Sequence, residues 1–266
     1  MKIAVVQFPG TNCEHETLVA ARSAGLSGEI FRWNRPAEEL SDFDGYLIPG
    51  GFSYQDRLRA GAIASKEPVM EALREEADRG KPIIGICNGF QILVESGLLP
   101  GLNGVDVALA SNVMVSKGEI VRRGFYCAWT NLRHEAPSKR CSGSFLLEKG
   151  DLIQMPLAHA EGNLVTVDEK LMDKLNEENQ IVFRYCDERG RVENEFPVNI
   201  NGSRENIAGI CNPEGNVLGM MPHPERSSFS WQLPPTGARK CVGDMSAAGP
   251  GRRVFESMKR YIEVRR

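Results

Sequence analysis

The sequence predicts an α/β fold: one domain with a mostly parallel central sheet, helices on both faces, and a smaller antiparallel β portion in the second half. Three observations predict it. Short apolar runs alternate with helix-period segments through residues 3–97. Those runs are apolar at consecutive positions, as expected when both faces of a strand are covered. After Gly97 the character changes and strand-like segments dominate. No internal repeat, low-complexity tract or clear linker divides the 266 residues, so 1–266 is read as a single domain.

The elements follow in order. Residues 3–8 form a continuous apolar strand that Pro9-Gly10-Thr11-Asn12 breaks. Thr11 or Asn12 is the expected cap of a helix running to about Ala24. That helix turns Leu18, Val19 and Ala21 inward and stops at Gly25. Residues 29–33 and Tyr46-Leu47-Ile48 are the next strands, and the loop Pro49-Gly50-Gly51-Phe52-Ser53 follows. A helix over 67–79 carries Val69, Leu73 and Ala77 at helical spacing and ends at Gly80. In the second half, strands are expected over 119–121, 125–132, 152–158 and 180–185. Residues 207–211 and 217–220 flank the turn-rich Asn212-Pro213-Glu214-Gly215-Asn216, which indicates a hairpin. A Pro/Gly/Ser-rich long loop is expected over 227–251, and a closing helix over 253–264.

Composition narrows the function. Hydrophobic content of 41% and charged content of 25% are ordinary for a globular protein. A net charge of −3 gives no nucleic-acid or membrane signature. Seven cysteines stand without any C-x-x-C pair, so neither a zinc site nor a disulfide framework is indicated. Reduced thiols in a cytoplasm are the expectation. No signal-peptide core follows Met1, and no apolar run approaches membrane-spanning length.

The chemistry centres on Gly85-Ile86-Cys87-Asn88-Gly89, between the apolar Pro82-Ile83-Ile84 and Phe90-Gln91-Ile92-Leu93-Val94. Strand, sharp turn, helix is the reading, with glycines where a Cβ would clash. It is the cysteine version of the G-x-S-x-G turn that lifts a nucleophile above the end of a sheet. A helix N-terminus favours an anion there, and the N–H of Asn88 can face a developing oxyanion. A buried, inert thiol is the commoner fate of an arbitrary cysteine; the two glycines and the strand–helix setting favour a nucleophile.

A thiol nucleophile needs a base, usually a histidine oriented by a third group. His223 is bracketed by Pro222 and Pro224 just past the last apolar strand, with Glu225 two residues on. In an extended stretch, i and i+2 side chains share a side, so Glu225 can hold the imidazole. His159 also ends a strand and also has a glutamate, Glu161, two residues later. Spacing does not separate the two. His15 reads as a solvated helix residue whose C-x-H pairing with Cys13 is weak evidence for a metal, and His134, in a charged loop, is expected to be exposed.

Gly85-Ile86-Cys87-Asn88-Gly89-Phe90-Gln91, Pro49-Gly50-Gly51-Phe52-Ser53-Tyr54 and Met221-Pro222-His223-Pro224-Glu225-Arg226 resemble the class I, triad-type glutamine amidotransferases. Arg59-Ala60-Gly61-Ala62-Ile63-Ala64, Ala158-His159-Ala160-Glu161-Gly162-Asn163, Asn206-Ile207-Ala208-Gly209-Ile210 and Gly215-Asn216-Val217-Leu218-Gly219-Met220 draw the resemblance to a purine-biosynthetic branch of it. The likeness covers about residues 1–226 and the closing helix.

The resemblance implies a flavodoxin-like fold and a triad of Cys87, His223 and Glu225. It implies an oxyanion hole from the N–H groups of Gly51 and Asn88, with Gln91 holding the substrate glutamine. His159, Glu161 and Arg57 are then expected near the site or at a partner interface. The implied activity is hydrolysis of glutamine, with the ammonia passed to a synthase that acts on formylglycinamide ribonucleotide. The implied partners are the synthase's large subunit plus a small accessory one. No cofactor or metal is expected in this chain, which lacks a G-x-x-x-x-G-K-[ST] loop; ATP and Mg are expected in the partner. Gln55 and Arg57 depart from the family pattern, which has a glycine and an aromatic there, and Ala160 replaces a glycine. A stand-alone cysteine hydrolase and a non-catalytic regulatory protein are the competing readings; the second expects a broken triad.

Overall fold

The computed structural model describes residues 1–102, 106–234, 244 and 246–266. Part of the 227–251 loop therefore lies outside the described residues. In order, the elements are β1 (Lys2–Gln7), α1 (Glu14–Ser23), β2 (Ser27–Arg32), β3 (Gly45–Ile48), α2 (Pro68–Asp78), β4 (Ile83–Ile86) and α3 (Asn88–Glu95). Then come β5 (Ala108–Ala110), β6 (Val113–Ser116), β7 (Glu119–Arg123), β8 (Tyr126–His134), β9 (Leu152–His159), β10 (Asn163–Val165) and α4 (Glu169–Glu177). The chain ends with β11 (Ile181–Cys186), β12 (Ile207–Cys211), β13 (Val217–Met220) and α5 (Arg252–Arg265).

Nine strands form one sheet in the order β2-β1-β3-β4-β13-β12-β11-β8-β9. The first five are mutually parallel. From β13 onward every pairing is antiparallel. The expected antiparallel portion is thus the second half of the same sheet. Its centre is the core: every residue of β3, β4, β12 and β13 is buried. That burial accounts for their uninterrupted apolar sequences.

Several local expectations differ. Val19 is half exposed, while Leu18, Ala20 and Ala21 face the sheet. The residue capping α1 is Cys13, with no side-chain cap; the Thr11 hydroxyl instead accepts from the Phe8 N–H at 3.0 Å, closing the turn after β1. The short strands β5, β6 and β10 carry too little periodic signal to be read from the sequence; α4, absent from the expected elements, is signalled by its Asp168 cap and by Leu171, Met172 and Leu175 at helical spacing. His134 is fully buried rather than exposed. It is the last residue of β8, and its Nε2 meets the Ser144 hydroxyl at 2.9 Å while Nδ1 meets the Glu148 carbonyl at 3.1 Å. A folded-back turn at Ser142–Ser144 covers it, which the charge of the flanking sequence does not reveal.

The topology positions the site. Strands β1, β3, β4, β13 and β9 all run the same way. The loops leaving their carboxyl ends therefore gather along one rim of the sheet, where open α/β sheets place their ligands.

Candidate active site

Cys87 follows β4 directly and caps α3 with φ +51° and ψ −107°. The left-handed residue in this turn is thus the cysteine itself. Its conformation costs of order 1–3 kcal/mol in an L-residue. Packing enforces it. A Cβ on Gly85 would lie 2.6 Å from the Gly89 carbonyl oxygen, and one on Gly89 would lie 1.9 Å from the Ile48 carbonyl oxygen. Both glycines are needed because α3 crosses β3 and β4 at backbone contact. The Cys87 N–H is anchored to the Met220 carbonyl at 2.8 Å, and its sulfur faces the Ala158 carbonyl at 3.8 Å.

His223 leaves β13 and donates its backbone N–H to Pro156 of β9 at 2.8 Å. Pro224–Ser227 form a 3-10 turn that folds Glu225 back onto the ring. The contact is Nδ1 to Glu225 Oε1 at 2.6 Å. A tight turn, and not the extended stretch expected from the spacing, makes this pair. Both side chains are at most 2% exposed. The ring sits over Gly50, beside Cys87: a Cβ on Gly50 would lie 2.8 Å from His223 Cε1 and 3.4 Å from Cys87 Cβ. Among the described residues, His223 Nε2 is buried without a partner. Burial works against a charged ring here, yet the Glu225 carboxylate and then Cys87 outweigh it. They lift the His223 pKa well above the ordinary histidine range.

His159, the competitor by spacing, is built differently. Its Nδ1 lies 3.2 Å from the Asn112 side-chain amide, no carboxylate holds it, and Gly162 packs flat against the ring. Burial, then the charge of His223, push its pKa down to about 3, so it is a neutral ring. Glu161 lines the cavity as well.

A cavity of about 240 Å³ collects Cys87, His223, His159, Glu161, Gly51 and Gln91, together with Asn12, Cys13, Asp56, Phe125 and Arg226. Among the described residues, neither the Gly51 N–H nor the Asn88 N–H donates to another group. The Asn88 side chain is a hub. Its amide donates to Gln91 Oε1 at 2.9 Å and to Asp56 Oδ1 at 3.1 Å, and its oxygen accepts from the Ser53 N–H at 3.1 Å. Gln91 Nε2 in turn donates to the Glu161 carbonyl at 2.6 Å. Arg57 lies outside this cavity, exposed, with Nη2 3.1 Å from Gln55 Oε1.

Sequence reasoning missed Asp56, Asn12, Arg226 and the role of Cys13. The Cys13 sulfur accepts from Arg226 Nη2 at 3.1 Å, and Arg226 Nε reaches Glu16 of α1 at 2.8 Å. One donor atom from each of Cys13, His223 and Glu225 falls within 4.8 Å of the others, a spacing able to hold a cation. Of these groups, Glu225 Oε1 is engaged with His223 Nδ1, and the Cys13 sulfur with a guanidinium. The only sequence signal for Cys13 is its place in the loop after β1.

The loop after β3 is strained. Tyr54, Gln55 and Asp56 have φ of 51°, 60° and 52°. Gln55 therefore holds a left-handed conformation without being glycine. Replacing Gln55 by glycine is expected to raise the unfolding free energy by roughly 0.5–1 kcal/mol, seen as a higher denaturant midpoint at unchanged slope. A lower midpoint would mean that the Gln55–Arg57 hydrogen bond holds the loop.

The family model described as CobB/CobQ-like glutamine amidotransferase domain matches residues 1–262. The chain belongs to this glutamine amidotransferase family. Along its full 266 residues this amidotransferase is 69% identical to phosphoribosylformylglycinamidine synthase subunit PurQ of Methanothrix thermoacetophila, all of which it covers. It is 48% identical over 228 residues to the protein of the same name from Pyrococcus furiosus, covering 86% of this chain and 90% of that one. In the structure of PurLQS from Thermotoga maritima, one chain superimposes on the amidotransferase with a TM-score of 0.71 and 33% identity, over 98% of each chain. A chain of a putative GMP synthase from Thermoplasma acidophilum matches with a TM-score of 0.53 at 14% identity, over 100% of this chain and 95% of that one, a likeness of fold alone.

Proposed function

We infer that this chain is the glutaminase subunit of phosphoribosylformylglycinamidine synthase. It hydrolyses glutamine to glutamate and ammonia, and hands the ammonia to a synthase partner acting on formylglycinamide ribonucleotide in purine biosynthesis. The partners are the synthase's large subunit plus a small accessory one. One observation carries the chemistry: Cys87 and His223 line the same cavity, and Glu225 holds the far side of the imidazole. The full-length likeness to PurQ proteins supports the choice of synthase.

The geometry and the family likeness support the following roles. Cys87 passes its thiol proton to His223 as its sulfur attacks the side-chain amide carbon of glutamine. The N–H groups of Gly51 and Asn88, free of other partners among the described residues, take the oxyanion, each worth about 3 kcal/mol by analogy with other acyl transfers. His223 Nε2, opposite the nitrogen held by Glu225, donates a proton to the leaving nitrogen. Its raised pKa favours that proton-bearing form. Ammonia departs, leaving a γ-glutamyl thioester on Cys87. His223 then takes a proton from water, whose oxygen attacks the thioester, and glutamate leaves as the thiol is restored. Gln91 holds the substrate against the segment carrying Glu161. His159, neutral and held by Asn112, is a wall of the pocket and not a base.

Ammonia released into bulk water becomes mostly ammonium, which is no nucleophile, so delivery needs a sealed path into the partner. ATP and Mg act in that partner, where the amide oxygen of the acceptor is activated. The chain works in the cytoplasm. Its six described cysteines are all free, in keeping with a reducing compartment, and no described helix is long and apolar enough to cross a membrane.

Glutamine hydrolysis by this chain with and without its synthase partner tests the reading. Alone, the chain is expected to be a poor glutaminase, and complex formation is expected to raise kcat by at least about tenfold, because partner contact orders the site for turnover. Full activity in isolation, unchanged by the partner, would favour a stand-alone hydrolase instead.

A further inference from the structure

The two imidazoles of the cavity have opposite partners. A carboxylate, Glu225, holds Nδ1 of His223, whereas an amide, Asn112, faces Nδ1 of His159 at 3.2 Å. Asn112 directly precedes β6 and is fully buried. Its amide can stand only one way round. Oδ1 accepts from the Gly162 N–H at 2.9 Å, while Nδ2 donates to the His159 carbonyl at 2.8 Å and to the Gly124 carbonyl at 3.1 Å. Turned over, it would set an oxygen against two carbonyls and an NH2 against an N–H. The group beside His159 Nδ1 is therefore an NH2, which has no free lone pair to accept a ring hydrogen. Nδ1 stays bare, and the ring carries its one hydrogen on Nε2.

The ring is also fixed in place. A Cβ on Gly162 would lie 2.3 Å from His159 Cε1, and the Asn112 N–H donates to the Ala160 carbonyl at 2.8 Å, so the segment after β9 is clamped on both sides of the ring. Burial is severe at both imidazoles, yet only His223 is lifted in pKa, by the carboxylate it touches; burial, then the charge of His223, push His159 down to about 3. The partner of Nδ1 decides the charge.

An uncharged wall matters when ammonia forms. As the leaving nitrogen departs, His223 has given up its proton and is neutral, and Cys87 is a thioester. The other titratable groups around the cavity, besides His159, are Cys13, Asp56, Glu161 and Arg226. Burial raises the Cys13 thiol, which keeps its proton. Burial works against the Arg226 charge, but the contact with Glu16 outweighs it. Burial, then the charge of Glu161, push the Asp56 carboxyl up to about 6, which leaves it ionised at neutral pH. A charged His159 would add an imidazolium, a stronger acid than an ammonium ion. The proton would pass from the ring to the lone pair of ammonia, leaving neutral imidazole and ammonium, and that lone pair is the one that must attack in the partner. Resting on the glutaminase reading, we propose that Asn112 is a positioning residue that holds His159 uncharged, so that ammonia released at Cys87 leaves the cavity as the free base.

The test is the amount of phosphoribosylformylglycinamidine formed per glutamine hydrolysed in the reconstituted complex. Asn112→Asp keeps the bond from the Gly162 N–H and sets a carboxylate against Nδ1, as Glu225 is set against His223. It is expected to lower that ratio at least about threefold at neutral pH. The ratio should recover toward the wild-type value as pH rises through the raised pKa of His159, since the ring is charged only below it. The double variant Asn112→Asp/His159→Gln has no ring to charge and should restore the wild-type ratio. A ratio that stays low in the double variant would indicate a leaking cavity, and an unchanged ratio in Asn112→Asp would make the charge of the wall irrelevant; either overturns the proposal. Should Asn112→Asp not fold, nitrogen NMR of the histidine-labelled wild-type chain decides, with His159→Gln identifying the signal. His159 is expected to stay neutral, with its hydrogen on Nε2, from about pH 5 to about pH 8. Titration within that range, or a hydrogen on Nδ1, would overturn the proposal whatever the chain hydrolyses. Failure of the wild-type complex to hydrolyse glutamine at all would instead overturn the glutaminase reading, and the proposal with it.

Discussion

Replacing Cys87 by alanine is expected to abolish glutamine-dependent synthesis in the reconstituted complex and to leave ammonia-dependent synthesis intact. The fall in the glutamine reaction should be at least about 1,000-fold, as when other covalent nucleophiles are removed. The asymmetry is what makes the result diagnostic. In the proposed mechanism the sulfur splits the amide, whereas the amination of the nucleotide takes place in the partner and needs only ammonia. The variant should also fold. Alanine keeps the Cβ, is tolerated at the same backbone angles about as poorly as cysteine, and removes only the sulfur facing the Ala158 carbonyl. Rates with glutamine and with ammonium chloride, measured side by side, decide the matter. Retained glutamine use would remove Cys87 from the mechanism, and loss of both activities would point to a failure of assembly.

Gly89→Ala is expected to have the largest effect on stability. The added methyl would lie 1.9 Å from the Ile48 carbonyl oxygen, a backbone atom in the middle of the sheet. No side chain can swing aside there; α3 must lift away from β3. Overpacking against backbone should cost about 3 kcal/mol or more, and at this chain length that lowers Tm by roughly 6–12 °C. Because α3 begins at Asn88, the shift also moves the elbow, so glutaminase activity should fall along with stability. Gly118→Ala is the comparison. That glycine has φ +77° with nothing within 4 Å of an added Cβ, so only the left-handed penalty of about 1–2 kcal/mol applies. Guanidinium unfolding of the two variants separates collision from backbone strain. Equal losses would mean that the contact between α3 and β3 is not tight.

Much of the site is legible because it is local. The elbow at Cys87 is written in five residues, since the steric demand of a strand-to-helix turn falls on its immediate neighbours. The alternation of β1, β2, β3 and β4 with helices is equally local. His223 and His159 could not be ranked by spacing for a physical reason. Strands β13 and β9 run the same way and end at the same rim, each with a glutamate two residues past its histidine. What separates them is a turn and a neighbour. Pro224 starts a 3-10 turn that folds Glu225 onto Nδ1, whereas Asn112, from a distant segment, takes the corresponding place beside His159. Asp56 and Cys13 went unread because their importance comes from partners 32 and 213 positions away.

By itself, then, the amino-acid order specified the class of fold and singled out Cys87 as the candidate nucleophile, because both rest on steric and periodic rules that act over a few residues; the kind of reaction came from the resemblance of its motifs. Only the folded chain decided which imidazole a carboxylate holds, which one an amide holds, and that Asp56 and Glu161 line the same cavity. Those outcomes depend on desolvation and on charges brought together from separate strand ends, and no stretch of sequence contains them.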